Sequence, residues 1–309
     1  LRILEFPAYR KFAQAFPNTV PFSEGIGFIA DVEDPHQIDL PYYVTAHEVA
    51  HQWWAHQVMP SKTQGASMLI ETLAQYGALM VMERQFGHHR IRKFLKQELD
   101  RYLKGRATDA SGETPLYRVE KQGYIHYRKG AVIMYALKDY LGEQTVNRAL
   151  RKLIQHHAYQ HEPYPLSTDL IRYLKEEADL EHHSLIDDFM KRITLFDLKM
   201  VRAAYSKSPN KNHRVKVTLE ALKYDADATG NTTEELFDLP VDIGLFRKHP
   251  ADPDFSDEDV ILLKKMDLAG KRVLEFEVDQ KPVYAGIDPY HKLIDRNLED
   301  NIKELILDP

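Results

Sequence analysis

Through the middle of the chain the apolar positions recur at intervals of three and four, and in the last third they recur at intervals of two. From Val44 to about Phe196 the first pattern predicts helices over 44–57, 66–86, 88–104, 126–141, 143–157, 167–178 and 184–195. Glycine and proline at Pro60, Gly87, Gly112 and 163–165 separate them. Beyond Asp197 the stretches 214–220 and 273–278 alternate apolar with polar residues, and turn-forming residues recur at 227–230, 250–254 and 269–270. Residues 1–43 read as short strands and loops: 1–6 alternates, 26–30 is the clearest strand, and a polar turn follows over 31–36. The chain thus reads as α+β. One domain covers 1–197, with a β part over 1–43 and a helical lobe over 44–197, and a small antiparallel β-sandwich covers 198–309.

The first predicted helix carries the most specific chemistry. His47-Glu48-Val49-Ala50-His51 spaces two histidines four residues apart, so one helix face aims two imidazoles at one point while Glu48 stands one step round. Tyr43, Val44, Ala46, Val49, Ala50, Trp53 and Trp54 make the surrounding segment apolar, as expected of a helix buried at a domain centre. Twenty positions on, Glu71 interrupts the apolar run Met68-Leu69-Ile70 and Leu73-Ala74. A lone carboxylate there is costly unless it is paired, and coordination of a metal would pair it. Catalytic zinc takes three protein ligands and keeps a fourth position for water, so His47, His51 and Glu71 are the candidate ligands of Zn2+ and Glu48 the candidate base acting on its water. The longer motif that continues with Gly and a third His is excluded, since Trp54 and Gln57 occupy those positions. His56 falls off the ligand stripe and reads as a helix-end histidine.

Composition narrows the partners. With 309 residues and 43% hydrophobic content the chain can bury a large core. A net charge of -6 and a pI near 6.2 give no support for nucleic-acid binding, and the locally basic stretch 89–93 reads as a solvated helix face. The absence of cysteine excludes disulfides and thiolate ligands. No apolar run approaches the roughly 18 residues needed to span a bilayer. The start at Leu1, with neither an initiator Met nor a signal-peptide pattern, reads as that of a fragment or a processed product. Residues 225–230 resemble the opening of a calcium loop, but Leu236 stands where a bidentate glutamate is required, so a hairpin turn is expected. The acidic stretch 252–259 and the pair His157 and His161 read as solvated surface.

Three segments together resemble the gluzincin aminopeptidases, the alanyl-aminopeptidase family: Thr45-Ala46-His47-Glu48-Val49-Ala50-His51-Gln52-Trp53-Trp54, Glu71-Thr72-Leu73-Ala74-Gln75-Tyr76 and Tyr127-Arg128-Lys129-Gly130-Ala131. The resemblance implies a thermolysin-like (zincin) fold for the helical domain. It also implies that Tyr127 stabilises the oxyanion, with Tyr124 one turn earlier in reserve. Upstream, Pro21-Phe22-Ser23-Glu24-Gly25-Ile26-Gly27-Phe28-Ile29 resembles the family's GAMENWGLI segment, which implies that Glu24 binds the substrate's free α-amino group and that the strand after it pairs with the substrate backbone. This chain departs from the pattern in having 19 rather than 18 residues between His51 and Glu71, as in thermolysin, and Ile70 and Thr72 where Asn and Gly are usual. The family's large amino-terminal β-domain and carboxy-terminal helical domain have no counterpart here.

Within the family, the chain looks closest to peptidase-like domains at the ends of bacterial multi-pass transporter-permease-type membrane proteins. That implies an extracytoplasmic domain tethered to the membrane-embedded remainder of the same polypeptide. The expected function is zinc-dependent hydrolysis of amino-terminal residues from peptide substrates. The alternatives are a thermolysin-type endopeptidase and a non-catalytic zinc-containing module of a larger membrane protein.

Overall fold

A computed structural model describes residues 1–35, 37–207 and 212–308; His36, the last residue of the turn expected over 31–36, lies outside them. The chain separates into two compact units, Leu1–Gly87 with Gln97–Ile193 and His88–Lys96 with Thr194–Pro309.

The first unit opens with a two-stranded parallel sheet of β1 (Arg2–Phe6) and β2 (Thr19–Ser23), in register from Arg2 beside Thr19 to Phe6 beside Ser23. The strand expected over 26–30 does not form. After β2 the chain enters a single helical turn, α1 (Glu24–Gly27), because the Ser23 hydroxyl accepts from the Gly25 N–H at 3.3 Å while donating to the Arg10 carbonyl at 2.7 Å. Ile26 packs with Val20 and Phe22, whereas Phe28 and Ile29 are exposed, so the apolar letters that mimic a strand are divided between core and surface.

The helices follow as α2 (Leu40–Ala50), a π-helical segment Met68–Thr72 running into α3 (Leu73–Phe86), α4 (His88–Thr108), a second π-helical segment Tyr124–Lys129 running into α5 (Gly130–Leu141), α6 (Glu143–His157), α7 (Ser167–Glu177) and α8 (His183–Lys191). α5 is buried on all sides from Gly130 to Leu137, which explains its uninterrupted apolar run: it is the central helix. α6 buries only the face carrying Val146, Ala149, Leu150 and Leu153, and α7 that carrying Leu170, Ile171 and Leu174. Each leucine-sized side chain fully buried in this layer contributes about 1.5–3 kcal/mol. α2 starts earlier than its apolar spacing suggests, at Leu40, because Asp39 accepts from the Tyr42 N–H at 2.9 Å and Pro41 occupies the first turn. α8 stops at Lys191 instead of running to 195, since Phe196 N–H already bonds the Ile294 carbonyl at 2.8 Å within a strand.

The second unit contains β3 (Thr194–Lys207), β4 (His213–Ala226), β5 (Thr232–Glu235), β6 (Pro240–Phe246), β7 (Val260–Asp267), β8 (Gly270–Val278), β9 (Tyr284–Ile287), β10 (Ile302–Glu304) and β11 (Ile306–Leu307). One sheet runs β10-β9-β6-β7 and is antiparallel throughout; the other runs β11-β3-β4-β5, with β8 also paired to β4. In β4 the residues Val215, Val217, Leu219 and Ala221 are buried at every second position, the period read from the sequence. One pairing departs from the antiparallel expectation: β11 lies parallel to β3. The hairpin between β4 and β5 turns where Asp227 accepts from Thr229 and Asn231 and Gly230 takes φ +91°, as a turn rather than a calcium loop requires. The stretch 89–93 is not a solvated face. Ile91 and Arg92 are buried, and Arg92 Nε donates to the Pro289 carbonyl at 2.9 Å. Phe94 and Leu95 beside them are core residues, and their burial draws the neighbouring basic stems under cover. In the acidic stretch Asp259 is likewise buried, accepting from the Ser256 N–H at 3.0 Å. Among the described residues no helix is long and apolar enough to cross a membrane.

Candidate active site

α2 sets His47 and His51 one turn apart, with their Nε2 atoms 3.0 Å from each other. The Nδ1 of His51 lies 3.0 Å from the Trp54 carbonyl, so that nitrogen carries the proton and Nε2 keeps its lone pair. To bring that carbonyl back, the chain must leave the helix. α2 therefore ends at Ala50 rather than at 57, and Ala55 takes φ +109° with its N–H on the Val58 carbonyl. The geometry of the second histidine thus dictates where its helix stops.

Glu71 comes from the π-helical segment Met68–Thr72, and its Oε2 lies 3.4 Å from Nε2 of both His47 and His51. Ligands of a tetrahedral zinc with bonds of about 2.0–2.1 Å stand about 3.3–3.4 Å apart, so three donors at these separations fit that ion. Two imidazole lone pairs and a carboxylate oxygen repel one another this closely unless a cation lies among them. With no metal bound, burial opposes charge on Glu71, and imidazoles that carry a proton on Nε2 outweigh it, donating to the carboxylate and holding it well below the usual carboxylate range.

Glu48 is buried on the same helix, with its carboxyl pushed upward by burial and by the charge of Glu71, against the opposing pull of His47 and His51. Tyr127 lies in the second π-helical segment, its ring 5.8 Å from that of His47. Burial, with the carboxylates of Glu71 and Glu48, pushes this phenol up, so it stays a proton donor. Tyr124 is directed elsewhere, donating to Asp109 Oδ2 at 2.9 Å.

Both residues that complete the site from outside α2 therefore stand on π-helical backbone, whose extra residue per turn re-aims side chains. The two segments are tied together: the Thr72 hydroxyl donates to the His126 carbonyl at 2.6 Å. A Cβ on Gly130 would lie 2.3 Å from that hydroxyl oxygen, so only glycine lets the helices approach this closely. Beside it, Lys129 is buried with its Nζ 2.6 Å from Glu113, which also accepts from Tyr102 and Arg106. Thr72, where the resemblance leads one to expect Gly, has become part of the support of Glu71.

A cavity of about 300 Å³ opens against His47, Glu48 and Tyr127, walled by Phe12, Ile26, Leu40 and Val44. Glu24 is not among its lining residues; its carboxylate accepts from the Ala8 N–H at 3.1 Å, and helix rather than a pairing strand follows it. Behind the cavity Glu98 is fully buried and accepts from Tyr43, Gln75 and Arg128 at 2.9–3.2 Å. This network is absent from the sequence reading, although a signal for it existed. Tyr43 stands one turn before His47 and Gln75 one turn after Glu71, each a polar group on the ligand-bearing face.

Residues 32–192 match the model of the peptidase family M1 domain. No curated protein sequence matches the chain. Among solved structures, it is similar to aminopeptidase A of Legionella pneumophila in complex with aspartic acid, with 17% identity and a TM-score of 0.52 over 99% of this chain and 31% of that one. It is also similar to an M1 zinc metallopeptidase of Deinococcus radiodurans, with 18% identity and a TM-score of 0.46 over 61% of this chain and 38% of that one. The chain spans less than two fifths of the length of either structure, and at 17% identity the likeness to the Legionella structure is one of fold.

Proposed function

Because this chain belongs to peptidase family M1, we propose that it is a zinc metallopeptidase that releases residues from the free amino end of peptides. The observation that carries the reading is the convergence of His47 Nε2, His51 Nε2 and Glu71 Oε2 within 3.4 Å of one another, with Glu48 and Tyr127 at the mouth of one cavity. On the same reading the helical unit is a thermolysin-like lobe. The two sheets of the second unit form a β-sandwich, a view supported by the contacts of β3 with β9 and β10.

His47, His51 and Glu71 would hold the zinc, which when bound supplies a water of lowered pKa and polarises the scissile carbonyl. Glu48 takes the proton of that water on its carboxylate and passes it to the leaving amine; its raised proton affinity suits a base that must hold the proton between the two steps. Tyr127, kept protonated, donates a hydrogen bond to the negative charge that develops on the carbonyl oxygen. The resemblance assigns the substrate's α-ammonium group to Glu24, which would have to exchange its bond with the Ala8 N–H and turn toward the cavity to set the exopeptidase register.

The test is cleavage of an unblocked peptide library and its amino-acetylated twin by the zinc-loaded protein and by Glu48→Gln, with products read by mass spectrometry. The expected result is stepwise trimming of free amino termini only, reduced at least about a hundredfold in the variant. Internal cuts in both libraries would convert the reading to an endopeptidase, and equal turnover by the variant would remove Glu48 from the chemistry.

A further inference from the structure

One wall of the cavity beside the triad carries more positive charge than its surroundings neutralise. Gln97 and Arg101 lie one turn apart on one face of α4, and Arg128 enters from the second π-helical segment immediately after Tyr127. Lys11 completes the charged rim, and Lys11 and Arg101 are both exposed there. Arg128 directs Nη1 at both oxygens of Glu98, at 2.9 and 3.1 Å, and among the described residues the rest of its guanidinium makes no hydrogen bond. Arg101 and Lys11 have no ion-pair partner among the described residues. The amide Nε2 of Gln97 is buried with no acceptor among the described residues. Glu98 is already committed to Arg128, Tyr43 and Gln75, and the carboxylate that lines the cavity, Glu48, stands on the side of the two histidines.

Two guanidiniums and an unpaired amide donor line one space, where an anion can accept a charge-assisted hydrogen bond from the guanidiniums and satisfy the amide. The size of the cavity, about 300 Å³, is at the lower limit for small-molecule sites and suits a single side chain. The flat fork of a guanidinium matches the two oxygens of a carboxylate better than any other common peptide group.

We propose that Gln97, Arg101 and Arg128 form a carboxylate-binding subsite that selects peptides carrying an anionic group beside the scissile bond. The assignment rests on the peptidase reading, since it is the adjacent His47, Glu48 and Tyr127 that make the cavity a substrate cavity. The carboxylate has two sources, an aspartate or glutamate side chain or the carboxy terminus of a very short peptide. Arg101 acts as a specificity residue, binding the substrate away from the reacting atoms.

The experiment measures binding and turnover separately. Zinc-loaded Glu48→Gln protein, with and without Arg101→Gln, is titrated calorimetrically with three tripeptides: Glu-Ala-Ala amide, Gln-Ala-Ala amide and Gln-Ala-Ala free acid. The protein with native Glu48 is assayed on the same peptides. The glutamyl amide is expected to bind about ten- to a hundredfold tighter than its glutaminyl isostere, as a charge-assisted hydrogen bond provides. Arg101→Gln should erase most of that ratio, while Arg101→Lys should restore part of it. A preference for the free acid over the amide would identify the carboxy terminus as the anion and likewise support the subsite. Equal binding of all three peptides, untouched by Arg101→Gln, would overturn it. If the carboxylate preference appears in binding while no peptide is cleaved, the subsite stands and the peptidase reading falls; cleavage without any preference does the reverse.

Discussion

Asp295 is fully buried, its Oδ1 accepts the Asn297 N–H at 3.1 Å, and among the described residues its Oδ2 has no hydrogen-bond partner. Burial raises its pKa to about 7, so the folded chain retains a proton that an unfolded aspartate gives up above about pH 4. Between those two values the native state holds more protons than the unfolded one, and stability falls as pH rises. Below about pH 4 both states are protonated, and above about pH 7 both are ionised, so the slope vanishes outside the window. Thermal unfolding is expected at a lower temperature at pH 8 than at pH 5. Asp295→Asn, which imitates the protonated form, should flatten that slope; an unchanged slope in the variant would show that other groups set it. Such a residue cannot be recognised in the sequence, because its burial is imposed by neighbours remote along the chain. The same is true of Gln97, Arg101 and Glu98, which look like ordinary polar positions of a helix. His47, His51 and Glu71 were legible for the opposite reason: two obey a local spacing, and the third is a charge within an apolar run.

Helices were legible as elements, since the burial of one face imposes a period that the letters carry, but their internal irregularities were not. The π-helical segments Met68–Thr72 and Tyr124–Lys129 add one residue per turn without disturbing the apolar pattern on either side. The end of α2 at Ala50 is set by a carbonyl needed three residues beyond the second histidine, and apolar Trp53 and Trp54 conceal it. The turn α1 was mistaken for a strand because a serine cap outweighs three apolar letters. The closest contact between these elements gives a sharp test. Gly130→Ala would gain about 1 kcal/mol of intrinsic helix propensity, yet the new methyl meets Thr72 at 2.3–3.0 Å. Overpacking of this kind costs about 1–3 kcal/mol, so the variant is expected to be less stable in urea despite the better helix former. Thr72→Ala alone loses one hydrogen bond, about 1 kcal/mol. In the double variant the clash is relieved, and the combined loss should be smaller than the sum of the two. Strict additivity would mean that the helices separate freely and that Gly130 is not needed for their approach.

For the molecule as a whole, the sequence conveyed the succession from helices to strands, because the change of period at about residue 197 is a property of long stretches. It did not convey that His88–Lys96 clusters with the strand-rich unit, nor that β11 runs parallel to β3, since both depend on contacts between segments far apart in sequence. A metal site is the simplest probe of such long-range organisation, for its donors come from two elements separated by a turn-rich connection. Zinc bound by the folded chain alone would stabilise it by about 2.7 kcal/mol at a free concentration one hundred times its dissociation constant. For a folding unit of about 150–250 residues that corresponds to a rise in melting temperature of roughly 5–10 °C. Removal of metal with a chelator should lower the melting temperature by that amount, and added zinc should restore it. His51→Ala, which deletes a donor, should abolish the response, whereas Glu48→Gln, which removes the base and no donor, should keep it. A response retained in His51→Ala would place the stabilising ion elsewhere, and a response lost in Glu48→Gln would make that carboxylate a ligand instead of a base. The comparison of the two variants therefore separates holding the metal from using it, which activity measurements alone cannot do.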